Sequence, residues 1–163
     1  MRVVLQRVKR ASVTIEGRVT GEIERGFMIL AAIGAGDTEE DLQYIADRII
    51  HLRVFEDDAG KMNRSLVDIG GAMLVISQFT LYADCRKGRR PGFTDAAPPE
   101  QASRDFARFL DILRASGLQV ETGRFGAMMD VDLLNSGPVT ILMDSREMRS
   151  VSRRGNPLKE AVE

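Results

Sequence analysis

The sequence predicts one α/β domain, and three observations carry that prediction. Apolar runs of strand length recur from the first residues to about 143, two longer stretches repeat their apolar residues at helical spacing, and 163 residues fit a single core. At 44% hydrophobic and 29% charged residues, the balance is that of an ordinary water-soluble folded chain. No apolar run approaches the roughly 20 residues that a bilayer span needs. Met1-Arg2-Val3-Val4-Leu5-Gln6-Arg7 interrupts its apolar residues with Arg and Gln, so no secretory leader is expected. A lone cysteine, Cys85, offers no internal disulfide framework and suits a reducing, cytoplasmic location. With a formal net charge of -1, nucleic-acid binding would need a local basic patch.

Each element follows in order. Residues 2–24 are expected to give two or three strands, with Glu16-Gly17 as a hairpin turn before Arg18-Val19-Thr20. Gly26 to Ile33 is a continuous apolar run and reads as a central strand. Gly34-Ala35-Gly36 lacks the third glycine and the lysine of a phosphate loop, so it reads as a plain loop. Thr38-Glu39-Glu40-Asp41 opens a helix with a capping-box pattern, and Leu42, Ile45, Ala46, Ile49, Ile50 and Leu52 share one face. His51, the only histidine, lies about 180° from the centre of that face and is expected in solvent. Arg53-Val54-Phe55 is a candidate short strand, and Asp57 to Lys61 a turn.

The stretch that organises the rest is Ala72 to Leu81. Ala72 to Ile76 is apolar without alternation, as in a strand buried on both faces, and Ser77, Gln78 and Thr80 then arrive at its carboxyl end. Polar groups are costly to bury unless hydrogen-bonded, so this pattern marks either a polar pocket or a capped strand end. Asp84 to Phe93 follows as a loop carrying Arg86, Lys87, Arg89 and Arg90, either simply solvated or able to cradle a phosphate backbone. Pro98-Pro99-Glu100 opens a second helix that buries Ala102, Phe106, Phe109, Leu110 and Leu113, its aromatics being core, and Gly117 stops it. Strands are expected at about 119–124, 130–134 and 139–143, with Asn135-Ser136-Gly137-Pro138 between the last two. From Ser145 the chain has almost no apolar pattern, so the domain is placed at 1–145 and 146–163 is expected to be a flexible tail.

The chemistry open to these residues is narrow. One solvated histidine and no Gly-x-Ser-x-Gly elbow argue against a serine triad. One histidine and one cysteine make no zinc set, and no glycine-rich motif calls for a nucleotide, so neither metal nor cofactor is expected. Hydroxyls, amides and backbone N–H groups remain. Such donors can stabilise an oxyanion, and hydrolysis of an activated ester fits that limit. A Gly137-Pro138 pair, which can be cis, is either an ordinary turn or a rigid steric gate.

Ser77-Gln78-Phe79-Thr80-Leu81 together with Asn135-Ser136-Gly137-Pro138-Val139-Thr140 resembles the two signature motifs of the D-aminoacyl-tRNA deacylase family. Supporting matches lie at Leu5-Gln6-Arg7-Val8, Ala11-Ser12-Val13, Gly60-Lys61-Met62-Asn63, Arg90-Pro91-Gly92-Phe93 and Thr122-Gly123-Arg124-Phe125. The resemblance implies a compact fold of mixed, mostly antiparallel sheets with two main helices. It also implies hydrolysis of the ester joining a D-amino acid to the terminal adenosine of tRNA, and removal of glycine mischarged on tRNA(Ala). It further implies a homodimer whose active site lies at the subunit interface, where the Gly137-Pro138 turn of one subunit enters the other's pocket and rejects L side chains by clash. Carried over residue by residue, Ser77, Gln78, Phe79 and Thr80 form the catalytic segment, with N–H groups near Phe79 and Thr80 as oxyanion hole. Arg7 braces the turn, and Phe125 or Met129 lines the pocket. Two routes stay open for the attack: activation of water by the substrate's 2′-hydroxyl, or Thr80 as nucleophile. Tyr82 and Cys85 depart from the residues common in the family. A sister enzyme that removes L-alanine carries a Pro-Gln-Ala-Thr type motif where this chain has Ser77-Gln78-Phe79-Thr80. A nucleic-acid-binding module without turnover is the rival from another class.

Overall fold

The computed structural model describes residues 1–148. Its strands are β1 (Arg2–Ile15), β2 (Arg18–Ile23), β3 (Gly26–Ala32), β4 (Phe55–Glu56), β5 (Met62–Arg64), β6 (Ala72–Ser77), β7 (Val120–Thr122) and β8 (Asp130–Asp144), and its two main helices are α1 (Glu39–His51) and α2 (Pro99–Arg114). The main sheet runs β2-β1-β3-β6-β7, with β8 also paired to β1. Pairing is antiparallel for β1 with β2, β3 and β8 and for β4 with β5, and parallel for β3–β6 and β6–β7. The sheet is therefore mixed and mostly antiparallel, as expected.

Residues 2–24 form one long strand and a second, joined at Glu16-Gly17. Both turn residues have positive φ, 51° and 75°, the twist that suits a two-residue hairpin. Burial on both faces explains the unbroken apolar runs of β3 and β6. Phe27, Ile29, Met73 and Val75 pack with Ile45 and Ile49 of α1 and Phe109 and Leu113 of α2. Met28, Leu74 and Ile76 point the other way, into a smaller core with Val8, Val13 and Ile23. The sheet is thus the middle layer, and its central strands have no solvent face to mark with polar residues.

Helix α1 starts with the expected capping box between Thr38 and Asp41, and His51 is exposed, its Nδ1 3.0 Å from the Asp47 carboxylate. Helix α2 begins on Pro99 and buries the five residues expected of it. The Gly34-Ala35-Gly36 stretch is a loop, and packing explains its first glycine. A Cβ at Gly34 would collide with the hydroxyl of Tyr82, whose ring is buried beneath the Arg2 guanidinium at 4.6 Å. Burial pushes the Tyr82 phenol above its ordinary pKa.

One expectation changes. Segments 130–134 and 139–143 are not separate strands about a turn, because both halves belong to β8 and pair with β1. Gln6 faces Thr140 and Val8 faces Asn135, so Arg7 alone stands opposite residues 136–139, which are extruded as a bulge. The chain does not reverse there. The end of the domain is held by polar contacts. Residues 145–148 form a helical turn, and Ser145 is fully buried. Its N–H donates to the Met1 carbonyl at 2.9 Å, while its hydroxyl accepts from the Met1 ammonium at 2.7 Å. Asp37 completes this polar cluster, its carboxylate 2.7 Å from the same ammonium. Asp37 Oδ2 also accepts from the Gly34 N–H at 2.6 Å, so charge and most hydrogen bonds are paired across the chain, which an apolar pattern cannot reveal. The rest of the expected tail, 149–163, lies outside the described residues.

Candidate active site

The parallel ladder of β3 and β6 ends where Ala31 faces Ser77, and Gln78 makes one further bond, its N–H donating to the Ala31 carbonyl at 2.8 Å. The backbone then coils into a 3-10 turn, Phe79–Tyr82, closed by bonds from Leu81 N–H to the Gln78 carbonyl and from Ala83 N–H to the Thr80 carbonyl. The first N–H groups of any such turn have no acceptor within it; here they belong to Phe79 and Thr80. The strand end thus delivers two backbone donors beside two hydroxyls and an amide.

A cleft of about 740 Å³ opens at this point. Its floor is Ala31, Ile33 and Ile76, one wall is the start of α2 with Ala102 and Phe106, and the other is the segment from Phe125 to Met129 with Val131. Ser77, Gln78 and Phe79 lie along its edge, and none of its lining side chains is charged. Phe106 therefore serves the core and the cleft together, and its ring meets that of Phe125 at 6.1 Å. The Thr122-Gly123-Arg124-Phe125 stretch sets this wall. The Thr122 hydroxyl donates to the Val75 carbonyl of β6 at 2.7 Å, and a Cβ at Gly123 would collide with the sulfur of Met129. Thr80 stands exposed at the rim, its hydroxyl accepting a hydrogen bond from the Gln78 amide. Phe79 and Met128 leave 56% and 92% of their surface open, a large apolar exposure around one mouth.

Gly137, Pro138 and Arg7 lie elsewhere in the chain, outside the cleft lining. The Gly137–Pro138 peptide is cis and both residues are exposed. Gly137 has φ 131°, a conformation that L side chains rarely adopt, and a Cβ there would meet Arg7 Nη2 at 2.8 Å. Arg7 is buried beneath the bulge. Its Nε donates to the Ser136 carbonyl at 2.9 Å and its Nη1 to the Val54 carbonyl at 2.6 Å, with Glu56 3.7 Å from Nη2. One guanidinium thereby ties the bulge to the strand region before β4.

Sequence reasoning quoted Asn135 only as part of a motif, and the structure gives it a definite task. Its Oδ1 accepts from Val139 N–H at 2.9 Å, and its Nδ2 donates to the Thr140 hydroxyl at 3.1 Å, which also accepts from Gln6. Asn135 closes the neck of the bulge where the β-ladder is interrupted. The signal was present in the sequence, since an Asn before a Gly-Pro pair commonly bonds the backbone of its own turn.

A mixed α/β domain with an apolar cleft, edged by hydroxyls and free backbone donors at the end of a parallel strand, has the make-up of a small-group transfer or hydrolytic enzyme. Comparison with known proteins makes that class specific. The family model for D-Tyr-tRNA(Tyr) deacylase matches residues 4–144. A D-aminoacyl-tRNA deacylase of Halalkalibacterium halodurans is 59% identical over 146 residues, which is 90% of this chain and 100% of that protein. A solved structure described as "c-Myc DNA Unwinding Element Binding Protein" superposes with a TM-score of 0.84 at 42% identity, over 88% of this chain and 98% of that one. Another, described as a "probable eukaryotic D-amino acid tRNA deacylase", has a TM-score of 0.79 at 19% identity over the same shares and supports the fold alone. The chain belongs to the D-aminoacyl-tRNA deacylase family, and is a hydrolase.

Proposed function

We propose that the chain hydrolyses the ester between a D-amino acid and the terminal adenosine of tRNA, and likewise clears glycine mischarged on tRNA(Ala), releasing free amino acid and tRNA. The observation that carries this reading is that Ser77, Gln78 and Phe79 line an uncharged cleft at a strand end, with an exposed Gly137-Pro138 bulge presented elsewhere on the surface.

Water adds to the ester carbonyl, and the carbonyl oxygen becomes an oxyanion aimed at the N–H groups of Phe79 and Thr80, where fixed donors count most. As the intermediate collapses, the C–O bond to the ribose breaks and the ribose oxygen takes up a proton. The substrate's 2′-hydroxyl lies beside the reacting ester and assists the water, while the Thr80 hydroxyl, held by Gln78, orients at the rim. No added metal or cofactor enters these steps.

The working unit in this reading is a homodimer in which the bulge of one subunit enters the cleft of the other. Three features support it. The bulge and the cleft are separate sites in one chain. Apolar Val131, Leu134 and Leu142 are exposed along β8. Strand β8 pairs only with β1 among the described residues, which leaves its second edge open to a partner. In such a dimer the carbonyls of Gly137 and Pro138 crowd the α-carbon on the side where an L residue carries its side chain. A D side chain points away and glycine has none, so both pass. Among the described residues no helix is long and apolar enough to cross a membrane, and we place the enzyme in the cytoplasm with its tRNA.

The test is deacylation of D-tyrosyl-tRNA beside L-tyrosyl-tRNA with purified protein and no added metal. Loss of the D ester with the L ester intact is expected; survival of the D-tyrosyl and glycyl esters together would overturn the reading. Nucleic-acid binding without turnover is the second reading, favoured by the exposed cations of residues 86–90, and it predicts tRNA binding in that same experiment with both esters intact.

A further inference from the structure

We propose that Lys87, Arg89 and Arg90 hold the phosphodiester backbone of the RNA next to its ester-bearing end. This rests on the reading of the cleft given above and adds to it the surface on which the rest of the substrate lies.

The cleft itself cannot hold phosphates by charge, since its lining carries no charged side chain. A polyanionic substrate needs cations beside it, and the chain as a whole, at -1, provides no general attraction. The loop after the 3-10 turn supplies them locally. It is a closed hairpin, because Asp84 and Gly92 exchange two backbone hydrogen bonds of 2.7 and 2.9 Å. Its far end is anchored at the cleft mouth, where Phe93 lines the cavity and packs edge-on against Phe79 with ring centroids 5.0 Å apart. The cations are therefore carried on one closed hairpin whose base sits at the cleft mouth.

The four cations are not equivalent. Arg86 is engaged, its Nε and Nη2 each 2.8 Å from the Asp84 carboxylate, which those bonds hold down at a pKa of about 2. Lys87, Arg89 and Arg90 are exposed and make no ion pair among the described residues. Gly88, with φ 69° and nothing within 4 Å of a would-be Cβ, makes the tight turn between them and leaves the space above the backbone open. Three free cations on a fixed hairpin match successive phosphates of a strand whose last nucleoside enters the cleft.

The experiment uses the full chain, a triple variant (Lys87→Gln, Arg89→Gln, Arg90→Gln) and an Arg86→Gln control. The kcat/KM values are measured for D-tyrosyl-tRNA and for the D-tyrosyl ester of adenosine alone, and affinity for uncharged tRNA is read by fluorescence anisotropy across a salt series. For the triple variant we expect KM for the tRNA ester to rise at least tenfold and the advantage of that ester over the adenosine ester to fall by the same factor. The slope of log affinity against log salt should become shallower by about 2, from about 0.7 per lost single-strand phosphate contact. Arg86→Gln should change affinity less than twofold. Equal losses on both esters, an unchanged salt slope, or an Arg86→Gln effect as large as the triple variant's would overturn the assignment. Wild-type protein that cleaves neither ester, yet binds tRNA at least tenfold tighter than the triple variant, would overturn the reading of the cleft and leave the hairpin assignment supported.

Discussion

The two motif segments are held in place by opposite means. The Ser77 to Thr80 segment follows a strand sealed on both faces, and it stays where it is because β6 is locked between β3 and β7 with apolar residues above and below. The Gly137-Pro138 segment is exposed on a strand that pairs with one neighbour, and it is fixed by side-chain hydrogen bonds from Arg7 and Asn135. Burial sets the first and directional polar contacts set the second. The cleft should therefore respond to loss of volume, and the bulge to loss of single donors or acceptors.

The sharpest way to break the first half of that contrast is Leu74→Ala. Leu74 is fully buried in the smaller core, and a large-to-small change there costs about 2–5 kcal/mol. Chemical denaturation should show that loss, while the ratio of D to L ester cleavage by the remaining folded protein stays unchanged.

Gly137→Ala attacks the second half. The backbone at φ 131° suits glycine, so the variant carries about 1–3 kcal/mol of strain and pushes against the Arg7 guanidinium. Its signature is functional: global stability changes less than for Leu74→Ala, and the discrimination between D- and L-tyrosyl esters collapses.

Asn135→Ala should be milder, about 1 kcal/mol, since one backbone N–H loses its acceptor at a partly buried position. A rise in L-ester cleavage with no more than that small loss at the denaturation midpoint would place Asn135 as a positioning residue. An equal loss on both esters would make it merely structural.

The smallest effect is one of pH. Hydrogen bonds from Arg86 lower the Asp84 carboxyl from its ordinary 3.8 to about 2. A lowered carboxyl contributes above its unfolded pKa and loses that contribution as pH falls through the folded one, so the hairpin tie fades between about pH 4 and about pH 2. Carboxyl NMR should find Asp84 titrating near 2 in the wild type and higher in Arg86→Ala, yet still below its ordinary value because the N–H of residue 86 keeps donating to it.

Much of the fold was legible because local patterns and tertiary packing agree. The periodic apolar faces of α1 and α2, the Glu16-Gly17 turn and the two-sided burial of β6 each have a signal written within a few residues. The continuity of β8 did not. Asn, Ser, Gly and Pro in succession carry every local mark of a chain reversal, and only pairing of both flanks with β1 shows that the strand resumes its course. The burial of Ser145 has no local signal for a related reason, since it depends on Met1 and Asp37, which lie far away in sequence. At the candidate site, the strand-end segment and the bulge could be named from their motifs. Their separation within one chain was implied by the family resemblance alone, because distance between sites is a property of the sheet and not of either motif.

Because the Gly137-Pro138 bulge rides on a strand paired to β1 on both sides, its position is counted in whole residues. A loop drifts continuously, but a strand can move along its neighbour only by register steps of about 3.3 Å, and a single step turns every side chain to the wrong face. Small disturbances are absorbed by the ladder before they reach the proline. Register errors of its flanks are thereby all or none, and only the setting of the bulge between them is left to Arg7 and Asn135.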